Sequence, residues 1–367
     1  MITRGLVSGA KPDQHVLRMS TKRTCILVIS FGLLLIFKTT YYMHHKTLPS
    51  QSSSSFLSNY KENITNATVD DDGFNHNVSH FVTFHDNMKD GRRLGNQLFN
   101  LAAIFFVAEL INGRPVIENN LHLGIDDIFQ LNLPRVSNLC PCYTIREQKH
   151  LSYDVNTEKL NLSDPQIGNN TILVDGFRQS WKYTLAIERN LRRHLVFKDE
   201  IQRFAESFLQ QNIPRGWRRV GFARVGIHIR RGDNLASSAL EYGYTVPNDT
   251  YFYKAMKHFT DRYSHVQFIV ASDDFNWTRQ HIVSKSSSPE RINITFSSNN
   301  TAGQDLAILS MCDHVIMSTG TFGWWAAWLA KGTTIYYSDW PRAESPLADH
   351  FNQKDFFPPS WLPMTGQ

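Results

Sequence analysis

The sequence predicts an α/β protein with parallel sheet, and three features predict it. In the second half, short apolar runs alternate with amphipathic helical stretches, which is the pattern of a parallel sheet covered by helices. Two of those runs end in polar, glycine-bearing turns, Arg230-Arg231-Gly232-Asp233 and Ser318-Thr319-Gly320-Thr321. The length of 367 residues gives room for two domains of ordinary size.

Composition is globular, 41% hydrophobic and 12% aromatic. The net charge of +5 is local: residues 1–38 hold six Lys and Arg against Asp13 alone, and the remaining chain is balanced. A basic nucleic-acid-binding domain therefore has no support. Residues 25–37 form the one long apolar run, preceded by Lys22 and Arg23 and followed by Lys38. The uninterrupted run is short for a membrane span, for which about 20 apolar residues are usual. Lys38 can snorkel, so that Thr39 to Met43 complete the crossing. A cleaved signal peptide competes with this reading, but the preceding segment is long and no small-x-small site follows. The expectation is a cytoplasmic tail (1–24), a signal-anchor helix (25–43) and a lumenal remainder. Residues 44–80 are polar and serine-rich and read as a stalk. Nine acceptor sequons, at Asn63, Asn66, Asn77, Asn161, Asn169, Asn248, Asn276, Asn293 and Asn299, agree with passage through the secretory pathway.

From residue 81 the chain reads as globular. Gly91-Arg92-Arg93-Leu94-Gly95-Asn96-Gln97 runs into a helix with apolar residues at 94, 98, 101, 105 and 108. Asn96 and Gln97 fall at its start, where unpaired N–H groups favour anions. A strand is expected at 116–118, a loop-rich stretch over 119–170, a strand at 172–175 and helix through most of 181–208. Asn212 to Gly216 is the candidate boundary between an N-terminal acceptor-side domain (81–214) and a C-terminal domain (215–367). The second half then predicts strands at 225–230, 266–270, 292–296, 314–317 and 333–337. Helices are expected at 250–263, 303–312 and 322–330. Of the four cysteines, Cys140 and Cys142 are too close for an easy mutual bridge, and one from either to Cys312 is open.

The candidate site residues sit at strand ends. Open α/β sheets bind ligands outside the carboxyl ends of their strands. Arg230 and Arg231 at such an end suit a diphosphate through forked, charge-assisted hydrogen bonds, and a solvated surface turn is the plainer alternative. Ser318, Thr319, Gly320, Thr321 and Phe322 let backbone approach a ligand and open a helix whose free N–H groups favour phosphate. His228 and Arg230 alternate along the strand and face one side. Asp305 is either an ordinary helix-start carboxylate or a contact to a nucleotide's base or ribose. Asp273-Asp274 lacks the Asp-x-Asp spacing of metal sites, and no metal site is expected.

Together, the 91–97 stretch, His228-Ile229-Arg230-Arg231-Gly232-Asp233 and Ser318-Thr319-Gly320-Thr321-Phe322-Gly323-Trp324-Trp325-Ala326-Ala327 resemble the galactoside α-1,2-fucosyltransferases of glycosyltransferase family 11. The α-1,6- and protein O-fucosyltransferases share the His-x-Arg-Arg pattern. The likeness spans about residues 80–345. One departure is an extra arginine before Leu94, which leaves open whether Arg92 or Arg93 takes the usual place. The resemblance implies a GT-B-like fold of two Rossmann-like domains. It implies GDP-fucose as donor, a galactose-terminated glycan as acceptor, inversion, and no metal or other cofactor. Carried over, Arg230 and Arg231 hold the donor phosphates, Asp233 stabilises that loop or touches the donor, Ser318 to Phe322 line phosphate or fucose, and Asp305 faces the nucleoside side. Asp233, Glu241 and Asp273 are alternative acceptor bases. Another linkage or acceptor, including protein, and a non-catalytic sugar-binding ectodomain are the competing readings. A Golgi type II protein is expected, and a homodimer is left open.

Overall fold

The computed structural model describes residues 80–84, 93–137, 139, 142–145, 171–283 and 290–367. The expected tail, anchor and stalk, Gly91, Arg92, Cys140 and the sequons up to Asn169 lie outside them. Every described residue falls in one unit, Asn66–Gln367. Among the described residues no helix is long and apolar enough to cross a membrane.

The chain enters through β1 (Phe81–Phe84), whose last three side chains are buried. Helix α1 (Leu94–Leu110) follows. The predicted apolar stripe is only part of its buried surface: from Gln97 to Ala108 every residue is buried. A helix apolar all round is a core helix, and α1 packs on β1 and on two helices introduced below. The predicted strand at 116–118 is two short pieces, β2 (Arg114–Pro115) and β3 (Ile117–Glu118). Val116 between them donates its N–H to the Val82 carbonyl, and its own carbonyl accepts from the Thr83 hydroxyl. Pro115 is tolerated because β2 is an edge strand. Within the stretch expected to be loop, β3 pairs with β4 (Arg135–Val136), and β5 (Cys142–Ile145) pairs with β6 (Thr171–Val174). The first sheet is parallel, in the order β2-β1-β6-β5.

The helical stretch expected over 181–208 is two helices, α2 (Trp181–His194) and α3 (Asp199–Gln211). The break has a tertiary cause. Val196 and Lys198 exchange backbone bonds with Gln130 and Ile128, and the Phe129 and Phe197 rings stack at 4.8 Å.

The second sheet carries the regular alternation. Its elements in chain order are β7 (Ala223–Ile229), α4 (Ser237–Tyr242), α5 (Asp249–Thr260), β8 (Val266–Ser272), β9 (Ile292–Ser297), α6 (Ala302–Ser310), β10 (His314–Met317), α7 (Thr321–Ala330), β11 (Thr334–Tyr337), α8 (Gln353–Phe356) and β12 (Leu362–Met364). All neighbours pair parallel, in the order β12-β11-β10-β7-β8-β9. From β7 the chain moves outward through β8 and β9, then returns to lay β10 on the other side of β7. That reversal opens a crevice between the carboxyl ends of β7 and β10, where ligands bind in open α/β sheets. Helix α3 packs against α6, although it precedes the expected boundary. The C-terminal segment returns to the first half: the Trp181 indole donates to the Lys354 carbonyl at 2.8 Å, and Lys182 pairs with Asp355. Cys312 is a free, buried thiol whose Sγ donates to the Ile308 carbonyl, so no bridge reaches it.

Candidate active site

The crevice is a cleft of about 460 Å³ lined on one side by Arg93, Leu94 and Gly95. On the other side are His228, Arg230, Ser272, Asp273, Asp305, Thr321 and Phe322. The amino ends of α1 and α7 meet at its floor. A Cβ at Gly95 would lie 2.6 Å from the Thr321 backbone, so only glycine permits this approach. The Thr321 hydroxyl donates to Asn96 Oδ1 at 3.0 Å, and Gln179 donates to the same oxygen at 2.9 Å.

Arg230 is the first residue past β7. Its backbone N–H donates to Ser318 Oγ at 2.9 Å, and the Ser318 N–H donates to the His228 carbonyl at 3.0 Å. These two bonds lock the two strand ends together. Thr319 is buried and accepts from the Asn234 amide at 2.9 Å, which fixes the short turn carrying Asp233. Gly320 has φ of 94°, in the region that favours glycine. A Cβ there would lie 2.7 Å from Arg230 Nη1. The Arg230 guanidinium thus rests directly on the turn leading into α7. It donates to both Asp233 oxygens, at 2.8 to 3.1 Å.

Arg93, from the other half of the chain, places Nη2 3.0 Å from Asp233 Oδ2. Hydrogen bonds from Arg230, with further help from its charge and from Arg93, hold the Asp233 carboxyl below the usual carboxylate range. Asp233 is therefore an ionised bridge between two guanidiniums. Burial, reinforced by the Arg230 charge, brings the His228 imidazole down to about 3. Its ring lies 5.3 Å from Phe322, and Gly323 leaves it the space it fills. At the far end Asp305 accepts from Ser297 at 2.6 Å and Asn300 at 3.1 Å, both through Oδ1. Burial nevertheless pushes its carboxyl up.

The neutral His228 has a thermodynamic consequence. Its folded value lies below the ordinary 6.5 of histidine, so the unfolded chain binds more protons between those values. The contribution to stability is complete above about pH 6.5 and falls as pH drops toward 3. The melting temperature of the wild type is expected to fall more between about pH 7 and about pH 4.5 than that of His228→Asn. Equal losses would remove His228 as the cause.

The structure brings together most of the predicted residues and disperses the rest. His228, Arg230, Asp305, Thr321 and Phe322 line the cleft. Ser318, Thr319 and Gly320 build its floor from behind. The expected pair of guanidiniums does not form. Successive side chains of an extended strand point to opposite faces. Arg231 accordingly turns away, onto Asp274 Oδ2 at 3.2 Å and over the Trp277 ring at 3.8 Å. Asn96 ties the two helix ends. Gln97 is buried and accepts from the Ile125 N–H at 3.1 Å, so it is not in the cleft lining. Among the described residues no group of three His, Cys, Asp or Glu side chains is placed to hold a metal ion.

The family model for glycosyl transferase family 11 matches residues 73–364. The chain belongs to this family. Galactoside alpha-(1,2)-fucosyltransferase 1 of Rattus norvegicus is 29% identical over 277 residues, 74% of this chain and 70% of that one. Galactoside alpha-(1,2)-fucosyltransferase 2 of Rattus norvegicus is 30% identical over 274 residues, 74% of each chain. The structure of an Arabidopsis thaliana FUT1 mutant in complex with GDP aligns with a TM-score of 0.49 at 14% identity, over 84% of this chain and 81% of that one.

Two residues in or beside the cleft were not singled out as site residues from the sequence. Arg93 was present as an ambiguous extra arginine, and the structure gives it the contact with Asp233. Tyr244 carried no signal at all. It stands where the charges of Arg230, Asp233 and Arg93 act on it, half-buried, with burial pushing its phenol up.

Proposed function

We propose that the chain transfers L-fucose from GDP-fucose to the 2-hydroxyl of a terminal galactose on a glycan, with inversion and without a metal. The observation that carries this reading is the Arg230 fork, seated at the meeting of two strand ends and two helix amino ends in a family 11 chain. Its relatives are named galactoside alpha-(1,2)-fucosyltransferases, which supports the fucosyl group, the galactoside acceptor and the linkage in this reading.

The departing diphosphate accumulates charge in the transition state, and fixed donors aimed at it lower the barrier. Arg230 is rigid, since backbone and carboxylate hold it from two sides. Arg93 supplies the second guanidinium, which neutral glycans alone do not require. The amino end of α7 adds its N–H groups. Asp305 faces the nucleoside end with Oδ2, which carries no protein donor. Base catalysis has weaker support. Asp233 is held acidic by its arginines, His228 is a poor proton acceptor, and Asp273 Oδ1 accepts from the Arg231 N–H at 2.8 Å. Stabilisation of the leaving group therefore supplies most of the rate. The apolar segment at 25–43, with basic residues on its amino side, supports a type II membrane protein of the Golgi with the site on the lumenal side.

The full-length chain, made in a secretory host, should transfer fucose from GDP-fucose to β-galactosides and use neither GDP-mannose nor UDP-galactose. EDTA should leave the rate unchanged. Absence of transfer from GDP-fucose to any acceptor sinks the reading, and loss of activity in EDTA sinks its metal-free part. Product linkage is read by NMR.

A further inference from the structure

The same edge of the second sheet carries another cavity, of about 600 Å³, at the carboxyl ends of β11 and β12. Its walls include Thr245, Asn248, Tyr337, Asp339, Arg342 and Gln353, and the Asn248 amide is spent on the Gly366 carbonyl at 3.0 Å. We propose that this cavity is an acceptor subsite, which takes the inner sugars of a neutral oligosaccharide whose terminal residue is at the cleft. The inference rests on the transferase reading above and extends it.

The order of strands sets the direction. Asp305 follows β9, Ser272 ends β8, Arg230 follows β7, and Thr321 lies past β10. A donor with its nucleoside by Asp305 and its phosphates by Arg230 thus runs along the sheet edge toward β10. Its sugar end, and the acceptor hydroxyl beyond, point on toward β11. Neighbouring strands are ~4.8 Å apart, so β11 lies roughly 10 Å past β7, the reach of a short oligosaccharide.

The segment Tyr244–Thr245 links the two regions. Tyr244 is close enough to Arg230 for that charge to act on its phenol, and its ring lies 6.2 Å from Trp340. The next residue, Thr245, donates its hydroxyl to the Asp339 carbonyl at 2.9 Å.

The polar groups suit hydroxyls. Asp339 uses Oδ2 to accept from the Gly366 N–H at 2.8 Å, and Oδ1 has no protein donor. Gln353 spends its amide N–H groups on the Ser338 and Trp340 carbonyls, both at 2.7 Å, which fixes the side chain and leaves Oε1 as an acceptor. Arg342 donates Nη2 to the Glu241 carbonyl at 3.2 Å and is otherwise exposed. Asp339 and Arg342 bring opposite charges to the cavity. It offers both acceptors and donors, as ring hydroxyls require. The ordered, already-oriented groups lower the entropy cost of holding a flexible glycan.

The test uses the full-length protein with GDP and a neutral tetrasaccharide ending in β-galactose. Saturation-transfer NMR should show contact to the inner sugars in the wild type and its loss in the Asp339→Asn/Arg342→Ala double variant. In transfer assays the double variant should lose roughly tenfold more kcat/KM for the tetrasaccharide than for methyl β-galactoside, through KM. Inner sugars silent in the wild type, contact that survives in the variant, or equal losses on both acceptors would overturn the subsite. Inner-sugar contact without fucose transfer from GDP-fucose would overturn the transferase reading, and with it the acceptor role of the cavity, while leaving its glycan binding standing.

Discussion

Arg230→Lys should lower fucose transfer by about 10² to 10³ while the protein stays folded. The side chain is held for its shape as much as its charge. Its fork spans both oxygens of Asp233, and its Nη1 lies against Gly320. A diphosphate presents the same paired oxygens, which a planar fork grips in two parallel bonds and an ammonium meets as a point charge. The lysine keeps the charge, so a purely electrostatic role predicts a small loss. The stability cost should be slight, because the Arg230–Asp233 pair is partly solvated and Arg93 still neutralises the carboxylate. The assay is kcat/KM at low donor together with a thermal melt. Activity within about threefold of wild type would take Arg230 out of the diphosphate clamp.

The position of Arg230 was legible because it depends on local rules. An apolar run that ends in charge is a buried strand meeting a turn, and a parallel sheet gathers its ligand at such ends. The Ser318 turn was legible for the same reason, and both fall at the reversal between β7 and β10. Arg231 was misread by treating two adjacent arginines as one device. Alternation along an extended strand separates them, and the aromatic face of Trp277 with Asp274 supplies a stable seat on the other side. His228 and Arg230 were correctly placed together by that same alternation.

What stayed hidden is tertiary. Arg93 reaches Asp233 across 140 positions of chain, and no local pattern separates it from Arg92. Asn96 looked like an anion ligand at a helix start, yet its oxygen is occupied by Thr321 and Gln179 from distant segments. The first sheet was hard to read because its strands are two to four residues long and separated by polar stretches, too few for a period of two to show. Likewise β12 contains Pro363 and survives only as an edge strand, and the split between α2 and α3 follows from backbone pairing with residues some 70 positions earlier.

Trp324→Ala should cost about 3–5 kcal/mol, out of the 5–15 kcal/mol typical of a folded domain. Trp324 is fully buried. Its ring packs 4.5 Å from Phe99 on α1, 5.0 Å from Trp325 on its own helix and 5.3 Å from Trp361 near the C-terminus. Its indole N–H donates to the Phe356 carbonyl at 2.8 Å. One side chain therefore joins α1 of the first half, α7 of the second and the returning C-terminal segment. Alanine leaves a cavity among three elements and orphans a buried carbonyl, and both effects add. The consequence reaches the cleft, because Thr321 and Phe322 open the same helix three and two residues earlier. Loosened from Phe99, the amino end of α7 no longer meets Gly95 at a fixed distance, and KM for the donor should rise along with the loss of stability. Trp324→Phe keeps most of the packing and loses only the hydrogen bond, so its cost should stay near 1–2 kcal/mol. Denaturant unfolding of the two variants measures the difference. Equal midpoints for Trp324→Ala and the wild type would mean that α1 and α7 are held together elsewhere.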